Sequence, residues 1–429
     1  MSGTAESRWR AWLSSAELRD FPIEPGQRVA VVAAHPDDET LAVSGLLQQL
    51  HAQGSPIDLI VATDGEAAFP RLSTADRREL GRTRRAELRE SLRAQGLSDM
   101  TVRWLGLPDS GLADRRDELA ERLGPLLAGA DLCLLPWPGD PHPDHAAAGD
   151  AVVAAAPLTA HRWSYPIWMW HWMAPDDPAI PRGMAFGHRL GGVRRDRKAA
   201  GLAAFASQLK PGPNDEPPIL EPDMLDHFDR DVEVVFREPP RQSAPLSRFA
   251  ELYAADSDPW QVGDRWYERR KRALTMASLP SERYATAVEP ACGTGVLTAA
   301  LADRCDRVVA FDPVPAAVAA ARARTAELAN VVVTEGRLPG DLPPGPADLV
   351  VFSEILYYLD DDTFTVSVDA AVAALRPGGQ LVAVDWLPWA AEAPRDGPAV
   401  HRFLTGIPTL ESLVTHVDER FVLHVLARR

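Results

Sequence analysis

The chain has 429 residues, 46% of them hydrophobic and 25% charged, with a net charge of −16 and a pI near 5.2. That length exceeds one ordinary hydrophobic core and predicts two domains. The acidic balance argues against a nucleic-acid partner and against an anionic membrane surface, since both need clustered Lys and Arg. A solvated acidic exterior is the simpler reading. Cys133, Cys292 and Cys305 form no metal-type pair and suggest a reducing compartment. The N-terminal SRWRAWLSSAELRD lacks the apolar run of a signal peptide, and nothing reads as a membrane span, so a cytoplasmic location is expected.

Residues 7–18 read as a short amphipathic helix, broken by Phe21, Pro22 and Pro25. RVAVVAA (28–34) is a buried strand by its continuous small and β-branched run. A helix over 40–53 follows, stopped by Gly54, then a strand over 57–62 and a charged helix over 74–94. A strand over 131–135 and a helix over 145–156 continue the alternation, which predicts a mostly parallel sheet with helices on both faces. REPPRQSAPLS (237–247) has no periodicity and places a linker at 238–248, between domains 1–237 and 249–429. A second series has strands over 285–289, 307–311, 331–333, 347–352 and 380–384, with Ala-rich helices between them. The expected fold class is α/β, as two doubly wound, Rossmann-like domains with mostly parallel sheets and no internal repeat.

His35 falls directly after the first buried strand, at the carboxyl end where open parallel sheets bind ligands. Asp37, Asp38 and Glu39 follow, and acids crowded beside a histidine repel unless a cation or donors neutralise them. PHPDH (141–145) likewise follows a strand and opens a helix. Both clusters therefore project from one edge of the same sheet. Two His and one Asp can converge there on a divalent metal, with a position open for water. HPDDE alone also reads as a helix N-terminus with acids favoured by the macrodipole, but that leaves the second cluster unexplained.

VAAHPDDETL, TDGE (63–66), LPDSGL (107–112) and PHPDH together resemble the PIG-L (LmbE-like) family of zinc-dependent N-deacetylases, over about the first half of the chain. The resemblance implies hydrolysis of an N-acetylglucosamine-type amide. It implies His35, Asp38 and His145 as ligands of Zn2+ or Fe2+, Asp37 as general base, and His142 as the acid or oxyanion stabiliser. Asp144 would orient a histidine. HRWSYPIWMWHW (161–172) packs four tryptophans into one run. Any single ring belongs more readily in a core. A strand buries only one face, however, so some rings are expected to face a sugar, with Trp170 and Trp172 as the candidates. Asp64 and Glu66 follow a strand end and are candidates for holding sugar hydroxyls. Arg84, Arg85 and Glu87 read as a solvated helix face with ion pairs.

ATAVEPACGTG (285–295) runs from a strand through a glycine-rich turn into a helix. Gly293 and Gly295 permit close backbone approach to a ligand. The next strand ends at Asp312, placed to accept from ribose hydroxyls. A nicotinamide fingerprint would need glycine where Thr298 stands. With Glu289 opening the loop, the segment instead resembles the E-x-G-x-G-x-G pattern of class I S-adenosylmethionine (SAM)-dependent methyltransferases, with Ala291 at the first glycine. WYERRKRALTMASLP (266–280) with its preceding DPW, SEILYYL (353–359) and AVHRFL (399–404) resemble the NodS-type members, from Phe249 onward. That group methylates the free amine of a deacetylated glucosamine residue. The resemblance implies Trp260, Tyr267, Glu289, Ala291, Gly293, Gly295 and Asp312 around SAM. It implies Glu354, Tyr357, Tyr358 and His401 facing the acceptor amine. Asp385-Trp386 stands where the likeness leads one to expect a histidine.

The expected function is a bifunctional enzyme. Metal-dependent N-deacetylation of a small-molecule amino sugar would be followed by SAM-dependent N-methylation of the freed amine. O-methylation, or SAM binding for regulation alone, are the alternatives for the second domain, and homo-oligomer formation is left open.

Overall fold

The computed structural model describes residues 3–429 except 17 and 241. The chain divides into two compact units, 1–238 and 239–429. In the first, a helix α1 (Glu6–Ser15) and a two-residue strand β1 (Arg19–Asp20) precede a strand–helix alternation. It runs β2 (Val29–Ala33), α2 (Asp38–Ala52), β3 (Ile57–Thr63), α3 (Thr74–Gln95), β4 (Thr101–Leu107), α4 (Arg116–Leu127), β5 (Leu132–Pro136), α5 (Pro143–Ala155) and β6 (His161–Tyr165). A single-turn α6 (Met169–Trp172), β7 (Ala185–Arg189), α7 (Gly192–Leu202), α8 (Ala206–Leu209), α9 (Pro222–Leu225) and β8 (Val232–Arg237) complete it.

The sheet order is β1-β7-β8-β6-β5-β2-β3-β4. Strands β2 to β6 are parallel to their neighbours in that group, and β8 runs antiparallel to β6 and β7. The continuous apolar run of β2 is what burial on both faces requires. Val29, Val31 and Ala33 join one core with α2 and α3, while Ala30, Val32 and Ala34 join the other with α4 and α5. From β2 the chain builds outward through β3 and β4, then returns to add β5 and β6 on the other side. The loops after β2 and β5 therefore flank a topological switch point.

Helix α2 is not continuous. Val43 leaves helical geometry (φ −133°), and the Glu233 carboxylate of β8 accepts from the N–H groups of Gly45 and Leu46, both at 2.9 Å. Lys198 of α7 pairs with the same carboxylate at 3.0 Å, and both charged groups are buried.

The second unit runs α10 (Leu246–Ala255), α11 (Trp266–Ala277), β9 (Tyr284–Pro290), α12 (Val296–Ala302), β10 (Cys305–Asp312), α13 (Pro315–Arg324) and β11 (Val331–Glu335). It continues with β12 (Ala347–Ser353), α14 (Asp361–Ala374), β13 (Leu375–Trp386), α15 (Gly397–Thr405), β14 (Leu410–Val417) and β15 (Phe421–Arg428). The order is β11-β10-β9-β12-β13-β15-β14, with a switch point between β9 and β12. The five expected strands are parallel, and β15 inserts antiparallel between β13 and β14. Within the expected linker, Ser243 Oγ donates to Asp360 at 2.5 Å and Ala244 N–H to the Tyr358 carbonyl at 2.8 Å. No helix among the described residues is long and apolar enough to cross a membrane.

Candidate active sites

At the first switch point the loops after β2 and β5 bring His35, Asp38 and His145 together, all buried. His35 Nδ1 lies 3.2 Å from His145 Nε2, which lies 3.2 Å from Asp38 Oδ1; Asp38 Oδ2 is 3.9 Å from His35 Nδ1. Donors about 2.0–2.2 Å from one tetrahedral centre stand about 3.3–3.6 Å apart, so this spacing suits one small divalent ion. The charge suits it too. Burial pushes both imidazoles down, yet the carboxylates around them draw both upward, to about 9 for His145. Such a field is neutralised by a proton or a metal cation.

Further carboxylates hold these ligands. His35 Nε2 is 3.1 Å from Asp109 Oδ1 and 3.5 Å from Asp144 Oδ2. Asp144 also accepts from the Ser110 and Leu112 N–H groups, at 2.8 and 3.1 Å. Asp140 Oδ1 lies 3.3 Å from His145 Nδ1, while its Oδ2 accepts from the N–H groups of Ile167 and Trp168. Carboxylates behind ligating histidines fix ring orientation. Asp109 and Asp140 were not singled out from the sequence. Asp109 lies within the quoted LPDSGL and Asp140 directly precedes PHPDH, so their motif neighbourhood was the available signal.

Asp37 sits at φ 145°, a conformation side chains rarely adopt. Burial pushes its carboxyl up to about 6, with Arg84 opposing and Asp38 reinforcing. Arg84 NH2 donates to Asp37 Oδ2 at 2.9 Å and to the Pro36 carbonyl at 3.1 Å, and NH1 to the Gly65 carbonyl at 2.9 Å. Arg84 is thus buried against the loop, which corrects the expectation of a solvated face there. The neighbouring Arg85 donates to Asp64 at 2.7 Å, and Glu66 Oε1 accepts from Asp109 N–H at 3.1 Å, with Glu66 Oε2 buried and unpartnered.

His142 caps α5, its Nδ1 accepting from Asp144 N–H at 3.3 Å. That leaves Nε2 as the N–H donor of a neutral ring. Burial, with His145 and His35 beside it, pushes its pKa down to about 4, so the ring serves as a neutral donor. The tryptophan run is a strand only as far as Tyr165; α6 then brings residues 168 and 172 together across one turn. Trp168 and Trp172 stack at 4.4 Å, and near-parallel to His142 at 6.3 and 6.4 Å. Trp170 is placed in the core against Trp9, with Arg230 over its ring. Trp172 therefore stands beside the cluster and Trp170 does not, because the local period is helical rather than alternating.

At the second switch point, Ala291, Gly293 and Gly295 all have positive φ (54°, 55° and 74°). A Cβ on Gly295 would meet the Ala321 backbone at 2.9 Å, and one on Gly293 would lie 3.1 Å from the Tyr253 hydroxyl. Asp312 holds the turn by accepting from Gly293 N–H at 3.0 Å and Val314 N–H at 2.9 Å. Glu289 is buried and accepts from Thr298 Oγ1 at 2.6 Å; burial pushes it up to about 8, with Asp312 reinforcing. Trp260 packs edge-on to Tyr253, which sequence reading did not single out. Tyr267 contacts Lys271, Arg420 and Phe421 instead.

Glu354 (φ 58°) follows β12. Its Oε1 accepts from Lys271 Nζ at 2.6 Å, and its Oε2 from Tyr357 OH at 2.7 Å and Trp386 N–H at 2.9 Å. Tyr358 packs on Phe249. His401 is buried, with Nε2 3.0 Å from Asp385 Oδ2 and Nδ1 2.7 Å from His424 Nδ1. The structure therefore brings Glu354 and Tyr357 together and places His401 inside a separate Asp–His–His chain.

Fold and geometry define an α/β protein with two switch-point sites, one a histidine–carboxylate cluster and the other a glycine-rich strand-to-helix turn. Residues 30–156 match the PIG-L family, described as GlcNAc-PI de-N-acetylase, and residues 287–379 match a family described as a methyltransferase domain. The chain is 34% identical over 131 residues to nodulation protein S of Rhizobium tropici, covering 30% of this chain and 55% of that protein. It is 34% identical over 154 residues to the 1D-myo-inositol 2-acetamido-2-deoxy-alpha-D-glucopyranoside deacetylase of Corynebacterium glutamicum, covering 30% and 53%. It thus spans little more than half the length of these curated relatives. It is also similar to the solved N-methyltransferase NodS of Bradyrhizobium japonicum in complex with S-adenosyl-L-homocysteine. That match is at 25% identity over 42% of this chain and 97% of that one, with a TM-score of 0.39. One chain thus carries a segment that matches the PIG-L family and, after it, a segment that matches a methyltransferase-domain family.

Proposed function

We propose that the first unit hydrolyses the N-acetyl group of an N-acetylated amino sugar and that the second methylates the freed amine with SAM. The observation that carries the first step is the convergence of His35, Asp38 and His145 beside Asp37. A divalent ion, Zn2+ or Fe2+, held by those three residues would supply Lewis acidity toward water and the acetyl carbonyl. Asp37, raised toward neutrality by burial and braced by Arg84, takes the proton of the attacking water. His142 donates Nε2–H to the oxyanion that develops on the carbonyl oxygen. The Asp37 carboxyl then returns a proton to the departing amine. Trp172, with Asp64 and Glu66, faces the sugar.

For the second step, Gly295 lets the turn pack against the Ala321 backbone, and Gly293 leaves bare backbone facing the Tyr253 hydroxyl, a close approach that suits a nucleoside cofactor. Bound SAM would supply an electrophilic methyl group. Asp312, which holds the turn through Gly293, and Tyr253 would border the cofactor, and Glu354 with its partner Tyr357 would line the acceptor side. Their contribution is to align the amine lone pair with the methyl carbon.

Asp37→Asn tests the hydrolytic assignment. The amide is nearly isosteric but cannot take the proton, so metal content is expected to persist while deacetylation falls by about a hundred- to ten-thousand-fold. Turnover within a few-fold of the wild type would remove Asp37 from that role.

A further inference from the structure

Asp140 stands in the turn between β5 and α5, two residues ahead of His142, and its side chain is buried. Its carboxylate serves two parts of the chain at once. Oδ1 lies 3.3 Å from His145 Nδ1 and accepts from the His142 N–H at 3.0 Å. Oδ2 accepts from the N–H groups of Ile167 at 2.9 Å, Trp168 at 3.0 Å and Met169 at 3.4 Å. With two contacts on one oxygen and three on the other, the roughly four acceptor positions of a carboxylate are filled.

The Oδ2 side sets the entry into α6. The first N–H groups of a helix have no partner within it, and a helix of four residues cannot hold itself. Asp140 supplies that acceptor. The body of α6 is held separately, by Trp9 Nε1 donating to the Trp170 carbonyl at 2.5 Å and Thr4 N–H to the His171 carbonyl at 2.8 Å. Asp140 therefore governs the end of the turn where Trp168 stands. Trp168 and Trp172 stack on each other at 4.4 Å, and both flank His142.

The Oδ1 side is slack. His145 turns Nε2 toward His35 and Asp38, 3.2 Å from an atom of each. An imidazole that gives that nitrogen to a cation carries its proton on Nδ1. His145 Nδ1 is buried, and its approach to Asp140 lacks the alignment of a full hydrogen bond. A buried N–H left in that state is costly.

We propose that Asp140 is a positioning residue that links occupancy of the cation position at His35, Asp38 and His145 to the setting of Trp168 and Trp172. A cation that fixes the proton on His145 Nδ1 draws the ring and the carboxylate into line. The carboxylate is one rigid group, so what moves Oδ1 moves Oδ2 and the start of α6 with it. The tryptophan pair then takes its working arrangement when the cation is in place. The proposal rests on the metal reading of the first cluster.

The test adds Zn2+ alone to the metal-stripped full chain. Binding is read by calorimetry, and the tryptophan pair by near-ultraviolet circular dichroism, as the difference from Trp172→Phe, which removes the pair. In the wild type, one equivalent of Zn2+ is expected to strengthen the band of the pair. Asp140→Asn keeps the size of the side chain but has one carbonyl oxygen, which cannot accept on both sides. It is expected to bind Zn2+ about ten- to a hundredfold more weakly. At saturating Zn2+ its band is expected to stay unmoved. A merely structural role would alter the band equally with and without Zn2+. A wild type that binds Zn2+ with no change in the band would overturn the link, and that arm needs no variant at position 140. A full response in saturated Asp140→Asn would overturn the assignment to Asp140. If the wild type bound neither Zn2+ nor Fe2+, the metal reading itself would fall, and the link with it.

Discussion

His35 and His145 each present one nitrogen to the cluster and the other to a carboxylate, Asp109 or Asp140. Either substitution to alanine removes one of three donors and leaves Asp38 beside an emptied position. His35→Ala and His145→Ala are each expected to lose bound metal by elemental analysis while calorimetric SAM binding persists; a full equivalent of metal in either would refute the ligand assignment. Ala291 invites a second prediction. Its φ of 54° costs an alanine about 1–2 kcal/mol, against about 0.5–1 kcal/mol of extra chain entropy for glycine. Ala291→Gly should therefore raise stability by up to about 1.5 kcal/mol, read as a higher midpoint for the thermal transition of the second unit. A lowered midpoint would mean that the Ala291 methyl contributes more than the backbone strain costs. HPDDE and PHPDH were legible because contiguous residues at strand ends carry the cluster. Arg84 was not, since an arginine within a charged helix looks the same whether it meets water or the Asp37 loop. Trp170 and Trp172 were separated only by the change from strand to helical turn after Tyr165.

Among the elements, parallel strands were easier to read than antiparallel edges. The run of β2 is apolar throughout because both faces are buried, and its short, continuous small and β-branched composition identifies it. β14 (LESLVTHV) is mostly exposed and mixes charge with β-branched residues, so nothing in its pattern announces its pairing with β15. The break in α2 was equally hidden: Glu233 comes from β8, far along the chain, to cap Gly45 and Leu46. That contact carries an element-scale prediction. Glu233→Ala would leave the Lys198 charge buried without its partner and two backbone donors unpaired. Breaking such a pair costs about 3–5 kcal/mol. Urea unfolding is expected to show that loss in the transition of the first unit and to leave the second unit's transition in place. A change below about 1 kcal/mol would mean that water reaches the Lys198 ammonium and that the kink is held by packing alone.

For the whole molecule, the same architectural device occurs twice in one chain: a central parallel strand, β2 or β9, a switch point beside it, and the candidate site on the loop that follows. Under the proposed function, the pairing implies an order of events. An amide nitrogen shares its lone pair with the carbonyl and is a poor nucleophile. The freed amine keeps that pair. When it attacks the methyl carbon, the carbon–sulfur electrons pass to sulfur, and the nitrogen is left with a proton to lose. The Glu354 carboxylate already accepts from Lys271, Tyr357 and the Trp386 N–H, so three of its roughly four acceptor positions are taken. Water is therefore the expected recipient of that proton, and alignment of the lone pair is the main task of the acceptor side. It follows that methylation should wait on hydrolysis. His145→Ala, given acetylated substrate and SAM, is expected to yield no methylated product by mass spectrometry, and to regain methylation when supplied with the free amine. Methyl transfer by that variant to the still-acetylated compound would sink the sequence of steps and point to a hydroxyl acceptor instead.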